Sequence, residues 1–298
     1  MEIDDFLSWL EVERRGSAHT VEAYGRDLRQ FSDWLCADGS PFDAGSVTVS
    51  DVRAWMGALA SEGLKAVTLR RKVQSVRAFY NWAMKTGRLE RNPAADVTLP
   101  KKRRKLPEII REKDMEEVLD AEPSGFRAQR AHLVLSMLYS LGLRQAELLG
   151  LDDDDIDLRA GELKVTGKRA KQRVLPVPPQ LCDEIARWQE ARDARFPDSP
   201  RPHPLLAGPH GRISKQALYE TVRHALAGVP TGRRSPHTLR HTFATAMVGH
   251  GADLDAVREM LGHASLATTQ IYTHLSISEL MAGYSHAHPR AAKKKNED

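Results

Sequence analysis

The sequence predicts a mainly α-helical protein with one small antiparallel β-sheet. Apolar residues recur at intervals of three and four over most of the chain, as in Val21, Tyr24 and Leu28, and this spacing is typical of amphipathic helices. Apolar and polar residues alternate with a period of two only in residues 156–177, where we expect short strands. Residues 92–107 are rich in proline and basic side chains and lack apolar periodicity, so they divide the chain.

These patterns predict two domains and a linker. We expect an all-helical domain over residues 1–95, a basic linker over 96–107 and an α+β domain over 108–298, which ends in an amphipathic tail helix at about 276–286. A length of 298 residues, of which 41% are hydrophobic, provides enough apolar surface for two domain cores.

Four helices are expected in the first domain. Ser50 is the predicted N-cap of the third helix, and the fourth covers residues 67–86. The polar side of the fourth helix carries Arg70, Arg71, Lys72 and Arg77. A helix of twenty residues spans about 30 Å, close to one turn of DNA, so this face could follow a duplex. From the helix alone, a solvated face explains the same charges equally well.

Basic side chains are concentrated in and before the linker. Residues 51–100 carry 9 basic and 4 acidic side chains, although the net charge of the chain is only +4. The densest run consists of Lys101, Lys102, Arg103, Arg104 and Lys105. A flexible basic strap can neutralise phosphates when two domains close around a duplex. The pattern therefore favours a polyanion, such as double-stranded DNA, over a membrane surface as the partner.

Composition argues against several other classes of protein. The longest nearly apolar stretch, residues 131–143, is interrupted by polar side chains, and the acidic N-terminus does not resemble a secretory signal. Cys36 and Cys182 lack a CxxC pattern, which argues against a disulfide framework or a thiolate zinc site. The acidic run at 152–155 lacks EF-hand spacing, and we interpret it as a solvated turn or helix cap. We expect a cytoplasmic protein that does not bind membranes.

Residues 235–274 concentrate the side chains that could carry chemistry. Ser235 and Pro236 predict the N-cap and first turn of a helix over 238–248, and a second helix should end at Gly262. The reactive candidates in this stretch are His237, Arg240, His263 and Tyr272. Their simplest joint chemistry is attack by the tyrosine on a phosphodiester, with arginine and histidine neutralising the phosphate oxygens.

Metal binding is the strongest competing chemistry. His237 and His241 are four residues apart, as in helical zinc sites. However, Thr238 stands where an HExxH motif has its glutamate, and Arg240 places a positive charge between the two histidines. We therefore predict no metal and no cofactor, and we interpret His241 as structural.

Two upstream segments supply further cations. Gly142 should end a strongly apolar helix, and Arg144 should open the next one, where Glu147 is near enough to hold its guanidinium; without the downstream motif, a surface salt bridge would be the default explanation. The expected hairpin has Leu163, Val165, Val174, Leu175 and Val177 pointing inward. Its turn carries Lys168 and Lys171, and hairpin lysines are most often kept only for solubility.

The segments LGLRQAELLGL, PHTLRH and LGHASLATTQIYTH resemble the tyrosine recombinase, or phage integrase, family. The positions that match the family's order are Arg144, Lys168, His237, Arg240, His263 and Tyr272. This resemblance implies a SAM-like core-binding domain, an α+β catalytic domain and a 3′-phosphotyrosyl intermediate formed by Tyr272 without metal or ATP. It also selects Lys168 as the proton donor, but Arg169 stands where relatives often show glycine, so Lys171 stays open.

Over its whole length the chain resembles the bacterial Xer type, and the ending HAHPRA is similar to the XerC branch, with the XerD branch as the alternative. This resemblance implies resolution of chromosome or plasmid dimers at dif-like sites, each about 28 bp with two-fold related halves. It further implies a cyclic tetramer, formed with itself or a paralogous recombinase through the C-terminal helix. The alternatives are a phage or mobile-element integrase and a DNA-relaxing enzyme that resembles type IB topoisomerases.

Overall fold

The computed structural model describes residues 2–12, 18–100, 108–167, 171–198, 202–262, 283 and 286–290. The chain separates into two compact units, residues 1–105 and 106–298, and each unit has its own hydrophobic core. Among the described residues, no helix is both long enough and apolar enough to cross a membrane. The predicted fold class, mainly helical with a small antiparallel sheet, is confirmed.

Residues 2–12 and 18–100, the described part of the first unit, contain four helices, as predicted. They are α1 (Glu2–Val12), α2 (Ala18–Leu35), α3 (Val49–Ser61) and α4 (Ala66–Lys85). Aromatic rings fill the space between them: the ring centroids of Phe6 and Phe79 are 5.7 Å apart, and those of Phe31 and Trp55 are 4.8 Å apart. Edge-on and tilted ring contacts of this kind stabilise a core beyond the burial of their area.

The N-cap of α3 differs from the prediction. Thr48, not Ser50, caps the helix, because its side chain accepts a hydrogen bond from the backbone N–H of Asp51. The carboxylate of Asp51 accepts the backbone N–H of Thr48 in return, at 2.8 Å. This reciprocal capping box satisfies two N–H groups, whereas a single serine cap would satisfy one.

The α4 face predicted to carry a row of cations includes a buried ion-pair cluster. Asp27 of α2 is fully buried and accepts hydrogen bonds from Arg71, from Lys72 Nζ at 3.1 Å and from Ser75 Oγ at 2.9 Å. Lys72 is only 7% exposed. A carboxylate is buried only when paired. The prediction that Lys72 lies on the exposed face is therefore wrong, since this lysine balances Asp27.

Two other arginines of α4 hold the segment that follows the helix. Arg77 Nε donates to the carbonyl of Ala94 at 2.6 Å, and Arg70 Nη1 donates to that of Pro100 at 3.0 Å. Carbonyls are neutral, so both arginines still contribute positive potential near this surface. DNA contact by Arg70, Arg71 and Arg77 stays a prediction, and the basic run at 101–105 lies outside the described residues.

The second unit packs helices around α6 and a small sheet. The α-helices found among its described residues are α5 (Glu112–Asp120), α6 (Phe126–Leu141), α7 (Gln145–Gly150), α8 (Pro179–Arg195), α9 (Lys215–Ala225), α10 (Pro236–Gly249) and α11 (Leu254–Leu261). Its strands are β1 (Ile156–Asp157), β2 (Glu162–Thr166) and β3 (Gln172–Pro176), antiparallel in that order, and an unexpected hairpin of β4 (Ala207–Gly208) and β5 (Gly211–Arg212). Helix α6 contacts α5, α7, α8, α9 and α10, so it is the centre of this core.

The register of the sheet corrects one prediction. Val165 pairs with Arg173, and Lys164 pairs with Val174. Directly opposite residues of an antiparallel pair project to the same face. Buried Val165 therefore places Arg173 on the inner face, and Val174 shares the outer face with Lys164. The prediction that Val174 points inward is wrong.

The acidic run at 152–155 is more than a solvated turn. Residues Asp153–Asp155 form one turn of 3-10 helix, capped by the Asp155 carboxylate on the backbone N–H of Asp152. Asp153 accepts two hydrogen bonds, at 2.8 and 2.7 Å, from Arg192, which is only 1% exposed. The run therefore supplies the partner that lets α8 bury an arginine.

Gly142 ends α6 with a left-handed backbone, as predicted, and is closely packed. A Cβ at this position would lie 2.4 Å from Cδ1 of Phe243, and φ is +58°. We expect Gly142→Ala to lower the free energy of unfolding by about 3 kcal/mol or more, because backbone strain and overpacking add. Gly251 is the matched control: its φ is +84°, but a Cβ there meets nothing within 4 Å. Gly251→Ala should cost about 1 kcal/mol.

Urea unfolding of the two glycine variants measures this difference. Equal losses of stability would contradict the steric part of the argument, since both positions share the backbone strain.

Residues 286–290 pack against the core of the second unit. Ala287 and His288 are almost fully buried, and the His288 Nε2 lies 3.3 Å from the Tyr139 carbonyl oxygen. The backbone N–H of Arg290 donates to His288 Nδ1 at 3.2 Å, so the ring is neutral with its proton on Nε2. Most of the tail helix predicted at 276–286 lies outside the described residues.

We expect His288 to make the stability of the second unit depend on pH. Burial first, and then the charges of Arg290 and His250, lower its pKa to about 4 from an ordinary 6.5. Between pH 6.5 and pH 4, His288 is therefore protonated in the unfolded chain but neutral in the folded chain. The free energy of unfolding falls as the pH drops from about 6.5 towards 4.

A glutamine at this position keeps a donor for the Tyr139 carbonyl but does not titrate. Between pH 7 and pH 5 the parent chain should lose about 2 kcal/mol more than His288→Gln, measured by urea unfolding. Parallel pH dependences of the two proteins would show that His288 is protonated in the folded state.

Candidate active site

The C-terminal end of α11 organises the candidate site. The last carbonyls of a helix have no intrahelical donor and carry its negative dipole end. Here three consecutive backbone carbonyls each accept a hydrogen bond from a different arginine. The pairs are Met260 O with Arg173 Nε (2.9 Å), Leu261 O with Arg240 Nη2, and Gly262 O with Arg144 Nη2 (2.8 Å). Guanidinium groups from β3, α10 and the start of α7 therefore meet at one helix end.

Glu147 is the carboxylate that contacts these arginines. Its carboxylate is almost fully buried and accepts hydrogen bonds from Arg173 Nη1 and Nη2, both at 2.9 Å, and from Arg144 Nη1 at 2.6 Å. It also accepts the backbone N–H of Arg144 at 2.8 Å, which caps α7. Arg240 Nη1 lies 3.9 Å from its Oε2. A surface salt bridge, the default explanation from sequence, does not describe this buried contact.

The cluster carries an excess of positive charge. Burial alone would raise the pKa of Glu147, but hydrogen bonds and charge from Arg173 and Arg144 lower it to about 2. Burial and the neighbouring Arg144 lower the pKa of Arg240 to about 10, which still leaves it protonated at neutral pH. As far as the described residues go, one anion and three cations leave two positive charges uncompensated, and such an excess favours the binding of a phosphate group.

Arg240 is held firmly in this arrangement. It is 6% exposed, and its Nη1 donates to the carbonyl of Gly142 at 2.6 Å while its Nη2 donates to Leu261. A guanidinium has more N–H donors than these two carbonyls use, so it can be fixed by the backbone and still bind an anion. The helix that carries it begins as predicted, with the Ser235 side chain accepting the N–H of Thr238 at 3.2 Å.

His237 lies on the first turn of α10 and is exposed. Its Nε2 is 3.1 Å from the Nε2 of His241, and the ring centroids are 4.3 Å apart. Neighbouring protein atoms remove some water from the ring of His237, and this desolvation, followed by the charges of His241, Arg240 and Arg233, lowers its pKa. In the described part of the chain, no group of three or more His, Cys, Asp or Glu side chains could hold a metal ion.

Lys168, His263 and Tyr272 lie outside the described residues. Their neighbours in sequence are described. A Cβ on Gly167 would lie 3.5 Å from Glu147 Oε1, and the N–H of Gly167 donates to the carbonyl of Lys171 at 2.7 Å. The residue before Lys168 therefore lies beside the arginine cluster, and Gly262, which precedes His263, is part of it.

Arg173 is a member of the cluster that sequence reasoning missed. In a strand with a period of two, an arginine between Gln172 and Val174 is ordinarily assigned to the solvent face. The available signal was the opposite residue: Val165 is apolar and inward, and a correct register would have placed Arg173 on the same face.

Comparison with known proteins matches both units of the chain to families of known fold. The profile of the Phage integrase family matches residues 108–279, and that of the Phage integrase N-terminal SAM-like domain matches residues 3–87. Tyrosine recombinase XerC from Mycobacterium tuberculosis (strain ATCC 25177 / H37Ra) is 38% identical, with 97% of this chain and 99% of the relative covered. XerC from Mycobacterium sp. (strain KMS) is also 38% identical, with the same coverage.

Solved structures share the fold at lower sequence identity. The XerH site-specific recombinase bound to difH substrate, in its pre-cleavage complex, aligns with a TM-score of 0.67 and 21% identity, covering 95% of this chain and 84% of that one. The Tn1549 transposon integrase in complex with transposon right end DNA aligns with a TM-score of 0.69 and 19% identity, covering 95% and 98%.

These matches define a class of protein: two-domain enzymes that bind DNA and cleave and rejoin its strands. The chain belongs to the phage integrase family. It is a site-specific tyrosine recombinase, and over nearly its full length it is similar to XerC.

Proposed function

We propose that this recombinase resolves chromosome or plasmid dimers at a dif-like site, in support of chromosome segregation and cell division. The similarity to XerC covers 97% of this chain and 99% of the relative, and it includes both the SAM-like and the catalytic domain. The related XerH was solved with difH DNA, which indicates the kind of site to test. A protein with this role acts on DNA in the cytoplasm.

We propose that Tyr272 attacks the scissile phosphodiester and forms a 3′-phosphotyrosyl bond. The single observation that carries this proposal is the cluster at the end of α11, where Arg144 and Arg240 are both held by backbone carbonyls beside Glu147. Arg144 and Arg240 bind the non-bridging oxygens and stabilise the charge that grows there. His237, on the first turn of α10, donates a further hydrogen bond to the same oxygens.

Proton transfer is assigned to two further residues. Lys168, which follows Gly167 in sequence, gives a proton to the leaving 5′ oxygen, and His263 helps to take up the proton of the tyrosine hydroxyl. The phosphotyrosyl bond conserves the energy of the broken bond, so a 5′-hydroxyl of another strand can attack it and release the tyrosine. This route needs neither a metal ion nor ATP.

The proposed assembly is a cyclic tetramer on two duplexes, formed with itself or with a paralogous recombinase. The C-terminal tail would link neighbouring subunits, as the resemblance to the Xer type implies. One contact between neighbours, repeated by rotation, closes a ring of four copies.

Sequencing the DNA that becomes covalently attached to the protein tests the biological role. The protein is incubated with sheared genomic DNA of its source organism, covalent complexes are captured under denaturing conditions, and the junctions are read. We expect the reads to converge on one chromosomal site of about 28 bp with two-fold related halves. Reads at the borders of a prophage or transposon would instead indicate an integrase, and reads without a common sequence would indicate a relaxing enzyme of the type IB kind.

A further inference from the structure

Arg173 belongs to the arginine cluster but to none of the sequence motifs that predicted the site. Its side chain is 14% exposed and lies on the inner face of β3. Nη1 and Nη2 donate to the two different oxygens of Glu147, both at 2.9 Å, and Nε donates to the carbonyl of Met260. This forked contact is the strongest geometry available between arginine and a carboxylate.

The bidentate contact with Arg173 determines which cation compensates the negative charge of Glu147. Glu147 is ionised, and it also contacts Arg144 at 2.6 Å. An isolated carboxylate at that distance would cancel much of the positive charge of its partner. Because Arg173 occupies both carboxylate oxygens, a more deeply buried cation compensates Glu147, and the charge of the more exposed Arg144 remains available to a phosphate.

The same side chain connects three elements of the site. It lies on β3, the strand that follows Lys168 in sequence, it binds Glu147 of α7, and it binds the last turn of α11 just before His263 in sequence. The packing is close: a Cβ on Gly262 would lie 3.1 Å from Arg173 Nη1 and 3.3 Å from Arg144 Nη1, and φ at Gly262 is +61°. The backbone there is therefore fixed against the two guanidinium groups.

We propose that Arg173 is a positioning residue for DNA cleavage: it neutralises Glu147 and fixes the end of α11, so that Arg144 and Arg240 direct their charge at the scissile phosphate. This proposal rests on the proposed roles of Arg144 and Arg240. Arg173 itself contacts protein groups and acts on the phosphate through them.

The first test compares Arg173→Met and Arg173→Lys with the parent chain. Single-turnover cleavage of a nicked suicide duplex is followed on a denaturing gel at saturating protein. Arg173→Met should cleave roughly 10 to 100 times more slowly, because small displacements of catalytic groups cost this much. Its Kd for the duplex should stay within about threefold, since the effect is on the transition state. Arg173→Lys keeps the charge and should recover part of the rate.

Arg192→Met is the matched control. Arg192 is also buried and also forks onto a carboxylate, that of Asp153, but it lies on α8 and contacts neither Glu147 nor α11. The Arg192→Met variant should have a lower free energy of unfolding than the parent chain, but its folded fraction should cleave DNA at the parent rate. The folded fraction of every variant is measured by circular dichroism, and the rates are normalised to it.

A double variant separates charge compensation from simple packing. Arg173→Met combined with Glu147→Gln removes one cation and one anion, which restores the original excess of positive charge. If Arg173 acts through Glu147, the double variant should cleave faster than Arg173→Met alone. If Arg173 only packs β3 against α11, the double variant should be slower than either single variant, and that result would overturn the proposal. An Arg173→Met rate within twofold of the parent would also overturn it.

Failure of this inference is distinguishable from failure of the proposed function. If the parent chain forms no adduct that depends on Tyr272, the proposed chemistry fails whatever Arg173 does. If the parent forms that adduct and Arg173→Met forms it equally fast, only the role of Arg173 fails.

Discussion

Tyr272→Phe should abolish covalent capture of DNA while leaving DNA binding close to normal. Phenylalanine keeps the ring but lacks the oxygen that would bond to phosphorus, so no other change in the site is needed to stop the reaction. The cations proposed to bind the phosphate, Arg144 and Arg240, remain in place. The measurement is the covalent band on a denaturing gel after incubation with a nicked suicide substrate, with binding followed separately by gel shift.

Tyr219→Phe is the control for this prediction. Tyr219 lies on α9, its side chain is exposed, and it belongs to no part of the arginine cluster. It should form the covalent band at the rate of the parent chain. An undiminished band from Tyr272→Phe would assign the nucleophile to another residue and remove the basis of the proposed mechanism.

Arg240→Ala should slow cleavage by on the order of a hundredfold or more. The side chain contributes one of the two uncompensated charges, and it is fixed by Gly142 and Leu261, so its position in the transition state needs no further ordering. Arg240→Lys should recover little of the rate, because a single ammonium cannot contact two carbonyls and a phosphate with the same planar geometry. Single-turnover cleavage at saturating protein measures both variants.

Loss of Arg240 also leaves two backbone carbonyls without their donor, so stability must be measured alongside the rate. Arg192→Ala is the control, since this buried arginine also donates to a carbonyl, that of Pro204, away from α11. If both variants lose stability but only Arg240→Ala loses rate, the loss of rate belongs to the site. If cleavage by folded Arg240→Ala equals that of Arg192→Ala, the proposed role of Arg240 is wrong.

Local signals were enough to predict the elements that carry the site. A serine followed by proline began α10 at the expected place, and Gly142 and Gly262 ended α6 and α11 with the left-handed backbone expected of a helix end. These signals lie within a few residues of the structure they determine, so a single sequence contains them. Glu147 is another such case, since it caps the helix that Arg144 begins.

Contacts between distant segments could not be predicted in the same way. Lys72 looked like one of several surface cations because its partner Asp27 lies on another helix, and nothing near Lys72 in sequence indicates that it is buried. Arg173 was missed because its inward direction depends on pairing with Val165 across a hairpin. In both cases a buried carboxylate determines the role of the cation, and burial follows from tertiary packing.

The proposed mechanism depends on one step, in which the phenolic oxygen of Tyr272 replaces a sugar oxygen on phosphorus. Its most direct test is mass spectrometry of the peptide that stays attached to DNA after cleavage of a suicide substrate, nuclease trimming and protease digestion. We expect a nucleotide joined through its 3′-phosphate to the peptide containing Tyr272. A nucleotide on a different residue, or one joined through a 5′-phosphate, would contradict it.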